Sequence, residues 1–159
     1  MKSLFEAAVG IILAVILETV LGKISAPLLF VLNAFSWVVL YFSLTKHEVF
    51  GAVMGTVCGL LQDSFSLGVF GVAGLTKTLL GFTAGLVSRK INVIPVTRNI
   101  VFLLVVSFAE LAFWKFLVFF LFGERLALGG GLVLLQPMAT ALVVTLAFQI
   151  VRRRREEGL

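Results

Sequence analysis

Five stretches of this chain are each an almost continuous apolar run close to the roughly 20 residues that a helix needs to cross the hydrocarbon layer of a bilayer. They cover Leu4 to Gly22, Pro27 to Leu44, Leu67 to Val87, Ile100 to Phe122 and Leu126 to Val151. Composition agrees: 60% of the 159 residues are hydrophobic and only 13% are charged, with a mean hydropathy of +1.15. A soluble domain would carry about 25% charged residues, and these few polar side chains could not cover the surface of one this size. Lipid reverses that demand, because it solvates apolar side chains and penalises charge. The reading is a single all-α, polytopic membrane domain over residues 1–159. The formal net charge of +5 has no soluble basic domain to sit on, which argues against nucleic acid as a partner. Cys58 is alone and lies within an apolar run, so it offers no intramolecular disulfide and no metal cluster.

A sixth segment, Val49 to Leu61, is short; its 13 residues would reach only about 20 Å as a helix. Basic residues decide whether it crosses, since Lys and Arg accumulate on cytoplasmic loops. With six crossings, Lys2, Lys46, Arg89, Lys90, Arg98 and Arg152 to Arg155 share one side, against Lys23 and Arg125 on the other. Without that crossing the split becomes three on the side of the N-terminus against eight on the other. Six spans, at about 4–22, 27–44, 49–63, 67–87, 100–122 and 126–151 with both termini cytoplasmic, are therefore expected. Glu6 and Glu18 interrupt the first run and no small-x-small cleavage site follows it, so it reads as a retained helix and not a signal peptide.

The middle of the chain carries the most pattern. Gly51, Gly55 and Gly59 recur every four residues, and Gly81 and Gly85 repeat that spacing. Helices in lipid associate through close packing of small residues. The glycines therefore serve either the packing of spans three and four on each other, the plainer reading, or a docking face for a partner helix. Between the two glycine sets, Gln62-Asp63-Ser64-Phe65-Ser66-Leu67-Gly68 reads as a polar break where a helix stops short of the membrane surface. Asp63 there either caps local backbone in a turn or binds a ligand or partner at the outer face. Four ionisable residues lie inside spans, where each unpaired charge costs roughly 2.5–3.5 kcal/mol or more. Matching their depth pairs Lys77 with Glu110, and Glu18 with Lys115. Such pairs either fix helix order or mark a proton or substrate pathway.

Gly129 to Gly131 and Pro137 are expected to loosen or kink the sixth span, and Arg152 to Arg155 to fix orientation and touch anionic lipid. His47 has no second His or Cys nearby, which leaves it no metal site. No nucleophile–base pair, H-E-x-x-H, C-x-x-C or phosphate-binding glycine loop is present, so neither an enzyme nor a cofactor is expected.

Gly59-Leu60-Leu61-Gln62-Asp63, then Leu67-Gly68, then Leu79-Leu80-Gly81-Phe82-Thr83-Ala84-Gly85-Leu86 and Arg89 resemble the signature of the MreD family of rod shape-determining membrane proteins. The resemblance is close over the middle of the chain, and span number, short loops and a basic C-terminal end extend it. Ser64-Phe65-Ser66 departs from the family pattern, which often has a second glycine shortly after the aspartate. The resemblance implies a plasma-membrane scaffold of the bacterial cell-elongation machinery. It also implies association with MreC, and through it with the elongation penicillin-binding transpeptidase, its RodA glycosyltransferase partner and the MreB filament. A six-helix bundle like the substrate-binding subunits of energy-coupling-factor vitamin transporters is implied too. The competing reading is a small-molecule binding subunit of a transporter.

Overall fold

A computed structural model describes residues 2–25, 31–65, 71–91, 95–122 and 131–157. Among them run six α-helices and no strand: α1 (Lys2–Ile24), α2 (Ala34–Thr45), α3 (Glu48–Phe65), α4 (Val72–Lys90), α5 (Val96–Phe122) and α6 (Gln136–Glu157), the last entered through a 3-10 turn at Gly131–Leu135. Three of them, within α1, α5 and α6, are long and apolar enough to cross a membrane. Only 17%, 28% and 33% of their apolar windows are buried inside the chain. Side chains such as Phe5, Ile12, Phe116, Phe120 and Leu142 stand exposed on the outside. That inverted surface is what lipid solvates.

Helix α2 lies at the centre and packs on α1, α3, α4 and α6, while α5 bridges α4 and α6. Phe35, Val39 and Leu40 of α2, Leu103 of α5 and Val144 of α6 form the buried core. On α1 the packed side is made of small residues: Ala7 and Ala14 are buried, and Gly10 faces the Phe42 ring. The helices alternate in direction. At one end, here the basic end, Lys46 pairs with Glu6 (3.2 Å), Arg89 pairs with Glu48 (2.9 Å) and also meets the His47 ring, and Arg152 lies in a cleft with Thr45. At the far end, Glu18, Asn33, Gln62 and Asp63 meet the opposite helix termini.

Several expected boundaries move. Helix α3 is not a short segment ending before a polar break; it has 18 residues, about 27 Å, and carries Gln62 to Phe65 as its last turn. α2 has 12 residues, and residues 27–30 of the expected second span lie outside the described set. The fourth helix starts at Val72 instead of Leu67, with Leu67 and Gly68 outside the described residues, and α5 starts at Val96, four residues before the expected boundary. Pro137 does not kink the sixth helix. It occupies the first turn, where a missing N–H costs nothing; Gly129 and Gly130 lie outside the described residues.

The tightest contact is between α3 and α4, and it depends on missing side chains. A Cβ on Gly55 would run into the backbone carbonyl of Lys77, and one on Gly81 into the carbonyl of Gly51. A Cβ on Gly59 would stand 2.5 Å from Ala73 O and from Gly74 Cα, and one on Gly85 2.7 Å from Glu48 Cα. The two helices thus run antiparallel with backbone against backbone, and the Thr56 and Thr78 hydroxyls bond across the same seam at 2.8 Å. Close approach maximises dispersion contacts where no hydrophobic gain is on offer. Gly55→Ala is therefore expected to cost at least the 1–3 kcal/mol, roughly, of an overpacked core. Gly10→Ala, whose Cβ would meet side chains alone, a Phe42 ring atom at 3.2 Å and Val38 Cγ1 at 3.6 Å, should cost clearly less; unfolding midpoints of the two variants in the same detergent check this.

Candidate functional site

Three buried side chains from three helices converge near the middle of the bundle. Lys77, in the second turn of α4, is 1% exposed; Glu110, midway along α5, is 7% exposed; and Ser36, in the first turn of α2, is fully buried. Lys77 Nζ donates to Glu110 Oε1 at 2.7 Å and also reaches Ser36 Oγ. The Ser36 hydroxyl donates in turn to Glu110 Oε1 at 2.7 Å. Depth matching thus pairs the right residues. Ser36 was missed, because a serine within an apolar run carries no signal of its own. Its position is set locally: Asn33 caps α2, its Oδ1 accepting the Ser36 N–H at 3.1 Å. The N-terminus of α2 therefore presents the positive end of its dipole toward the Glu110 carboxylate.

Glu18 and Lys115 do not pair. Glu18 Oε2 accepts the Ala34 N–H at 3.2 Å, at the start of α2, whereas Lys115 is exposed on α5. Equal depth is necessary for a pair but says nothing of azimuth, and α1 and α5 are not among the extensively packed helix pairs. Asn33 Nδ2 donates to Gln62 Oε1 at 3.4 Å, so the far end of the bundle carries a polar layer above the ion pair.

Asp63 caps a helix, but not its own. From the last turn of α3 its carboxylate accepts the N–H groups of Gly71 (2.9 Å), Ala73 (3.1 Å) and Gly74 (3.0 Å). These are first-turn donors of α4 that have no intrahelical partner. Gly71, in the N-cap position, has φ +100° and no capping side chain; a residue with a Cβ is strained there, and Asp63 supplies the acceptor from the neighbouring helix. Gly51, Gly55, Gly59, Gly81 and Gly85 are all used by the α3–α4 seam, so they are not a docking face. A leucine at Gly55 would force the α3 and α4 backbones apart. Among the described residues no group of three His, Cys, Asp or Glu side chains is placed to hold a metal, and Cys58 is buried and free.

No protein-family model matches this chain, nor does any curated protein or any solved structure.

Removing one partner from the buried pair leaves an uncompensated charge. Lys77→Met is expected to destabilise by about 3–5 kcal/mol, with Lys77→Met/Glu110→Met recovering most of that, as read from unfolding in detergent. Asp63→Ala strips three amides of their acceptor and is expected to cost about 2 kcal/mol or more. In hydrogen exchange the loss should show first at the start of α4.

Proposed function

We propose that this chain is a non-enzymatic membrane scaffold of the MreD type, which helps to organise peptidoglycan synthesis during the elongation of rod-shaped bacteria. In this reading all six helices cross the plasma membrane with both termini cytoplasmic, as in the six-helix substrate-binding subunits of energy-coupling-factor transporters. One observation carries the proposal. The residues that resemble the family signature, Gly59, Asp63, Gly81 and Gly85, are those that join α3 to α4, by backbone contact and by the cap on Gly71, Ala73 and Gly74. A shared pattern at these positions is thus a shared hairpin. The clustering of Lys46, Arg89 and Arg152 at one end supports the alternating topology.

With the glycine seam occupied, a partner helix has the outward faces of α1, α5 and α6. Association there rests on van der Waals fit, since lipid offers no hydrophobic gain. MreC is the first partner in this reading. The elongation transpeptidase and RodA follow directly or through it, and the MreB filament indirectly. Arg152 and Arg153 lie toward the C-terminal end of α6, at the basic end, where each basic residue near anionic lipid adds about 1 kcal/mol. A second reading, a small-molecule binding subunit of a transporter, draws on the polar layer of Glu18, Asn33 and Gln62 next to the buried ion pair.

Photo-crosslinking separates the two. A crosslinker at Leu13 of α1 or Leu142 of α6, both exposed, is expected to capture MreC or a cell-wall synthase in native membranes. Capture of a transporter ATPase, or an ordered vitamin in the purified protein, would replace the scaffold reading with the second one.

A further inference from the structure

Most of the hydroxyls with a hydrogen bond among the described residues follow one rule, and the exceptions are localised. Thr19, Ser43, Thr45, Thr56, Ser64, Thr76, Thr78, Thr83 and Ser88 each donate to a backbone carbonyl three or four residues earlier. That is how a polar side chain is tolerated in an apolar setting. Ser107, Thr140 and Thr145 do not; their hydroxyls are buried without a partner, as are both amide atoms of Asn99 and Nε1 of Trp37. All five residues belong to α2, α5 and α6.

Their placement is not scattered. Asn99, Ser107 and Glu110 follow one another at eight and three residues along α5, with Leu103 between them, so they share one helix face. Asn99 is fully buried, Ser107 is 3% exposed and Glu110 is 7% exposed. Asn99 lies in the first turn of α5, at the basic end, and the stripe rises about 16 Å to Glu110. Beyond Glu110 the buried positions are Leu111 and Val118, so the polar stripe stops at the ion pair. On α6, which packs along α5, Thr140, Ala141, Val144 and Thr145 are buried. The cleft lined by Tyr41, Leu44, Phe148 and Val151 puts the C-terminal parts of α2 and α6 at the same end, and Ala141 and Val144 share the core with Phe35 and Val39, so the two helices run parallel. One turn earlier, that register brings Thr145 level with Trp37, the neighbour of Ser36.

Buried polar atoms left bare cost about 1–3 kcal/mol each, and a stripe of them in a lipid-embedded bundle cannot persist dry. Water satisfies such groups when two to four polar partners converge on it. We propose that Asn99, Ser107, Thr145 and Trp37 line a water-filled passage between α2, α5 and α6 that admits water from the basic end as far as the Glu110–Lys77 pair. The ion pair is then hydrated from one side of the membrane. This inference does not depend on the scaffold reading, and it holds or falls on hydration alone.

Two measurements on the full chain in lipid nanodiscs test it. Radiolytic footprinting oxidises side chains that lie against bound water. Leu103, fully buried on the stripe, is expected to be oxidised at least severalfold faster than the equally buried Phe35 and Val39, which face α3. In unfolding, Thr145→Val removes a hydroxyl without changing shape. If that hydroxyl bonds water, the variant's folding equilibrium constant falls, by about fivefold; if it is dry, valine relieves an unpaired group and the constant stays level or rises. Equal protection of Leu103 and Phe35, or a Thr145→Val variant at least as stable as the parent, overturns the proposal.

Discussion

The contact of the α3 backbone with the α4 backbone is the constraint on which the rest of the bundle stands. Gly51, Gly55 and Gly59 on one helix, and Gly81 and Gly85 on the other, remove the Cβ atoms that would hold the axes apart. In water, two helices would be pressed together by burial of apolar stripes. In lipid that pressure is absent, and the depth of the van der Waals contact is what remains. Lys77 lies within this seam, its carbonyl against Gly55, so the same close approach fixes the direction in which its ammonium reaches Ser36 and Glu110. The glycine seam thereby positions the charge, and the charge in turn ties α4 to α2 and α5.

Polar atoms in this chain are handled in three ways. Most hydroxyls turn back onto their own helix. The carboxylates of Glu18, Asp63 and Glu110 are each assigned to a neighbouring element: Glu18 and Asp63 to helix N-termini, Glu110 to an ammonium and a serine. A third set, on α2, α5 and α6, is left to water. The first device keeps individual helices compatible with lipid, the second sets which helices adjoin and in what register, and the third confines hydration to one seam.

What the sequence made legible follows from which forces are one-dimensional. Apolar run length identified the long helices, and the period-four glycines identified the face on which α3 meets α4. Depth along a span found Lys77 with Glu110, because both lie on helices that pack against each other. The same argument failed for Glu18 and Lys115, since depth ignores rotation about the helix axis and α1 meets α2 instead. The end of α3 was misread for another reason. Gln62, Asp63 and Ser64 resemble a break when judged by polarity, yet their side chains are satisfied by Asn33, by the amides of α4 and by Leu60 O, which lets the helix continue. Long-range satisfaction of that kind leaves no mark in a local window.

The cap that Asp63 places on α4 has a bearing on biogenesis. Helices α3 and α4 are close to spanning length yet fall outside the set apolar enough to cross alone. Until Val72–Lys90 has been synthesised, the Asp63 carboxylate has no amides to receive and the glycine face has nothing to lie against. In the six-span reading, the least costly order is for the ribosome to deliver both before either commits to the bilayer. On this account the translocon would release α3 and α4 sideways together, as one cargo.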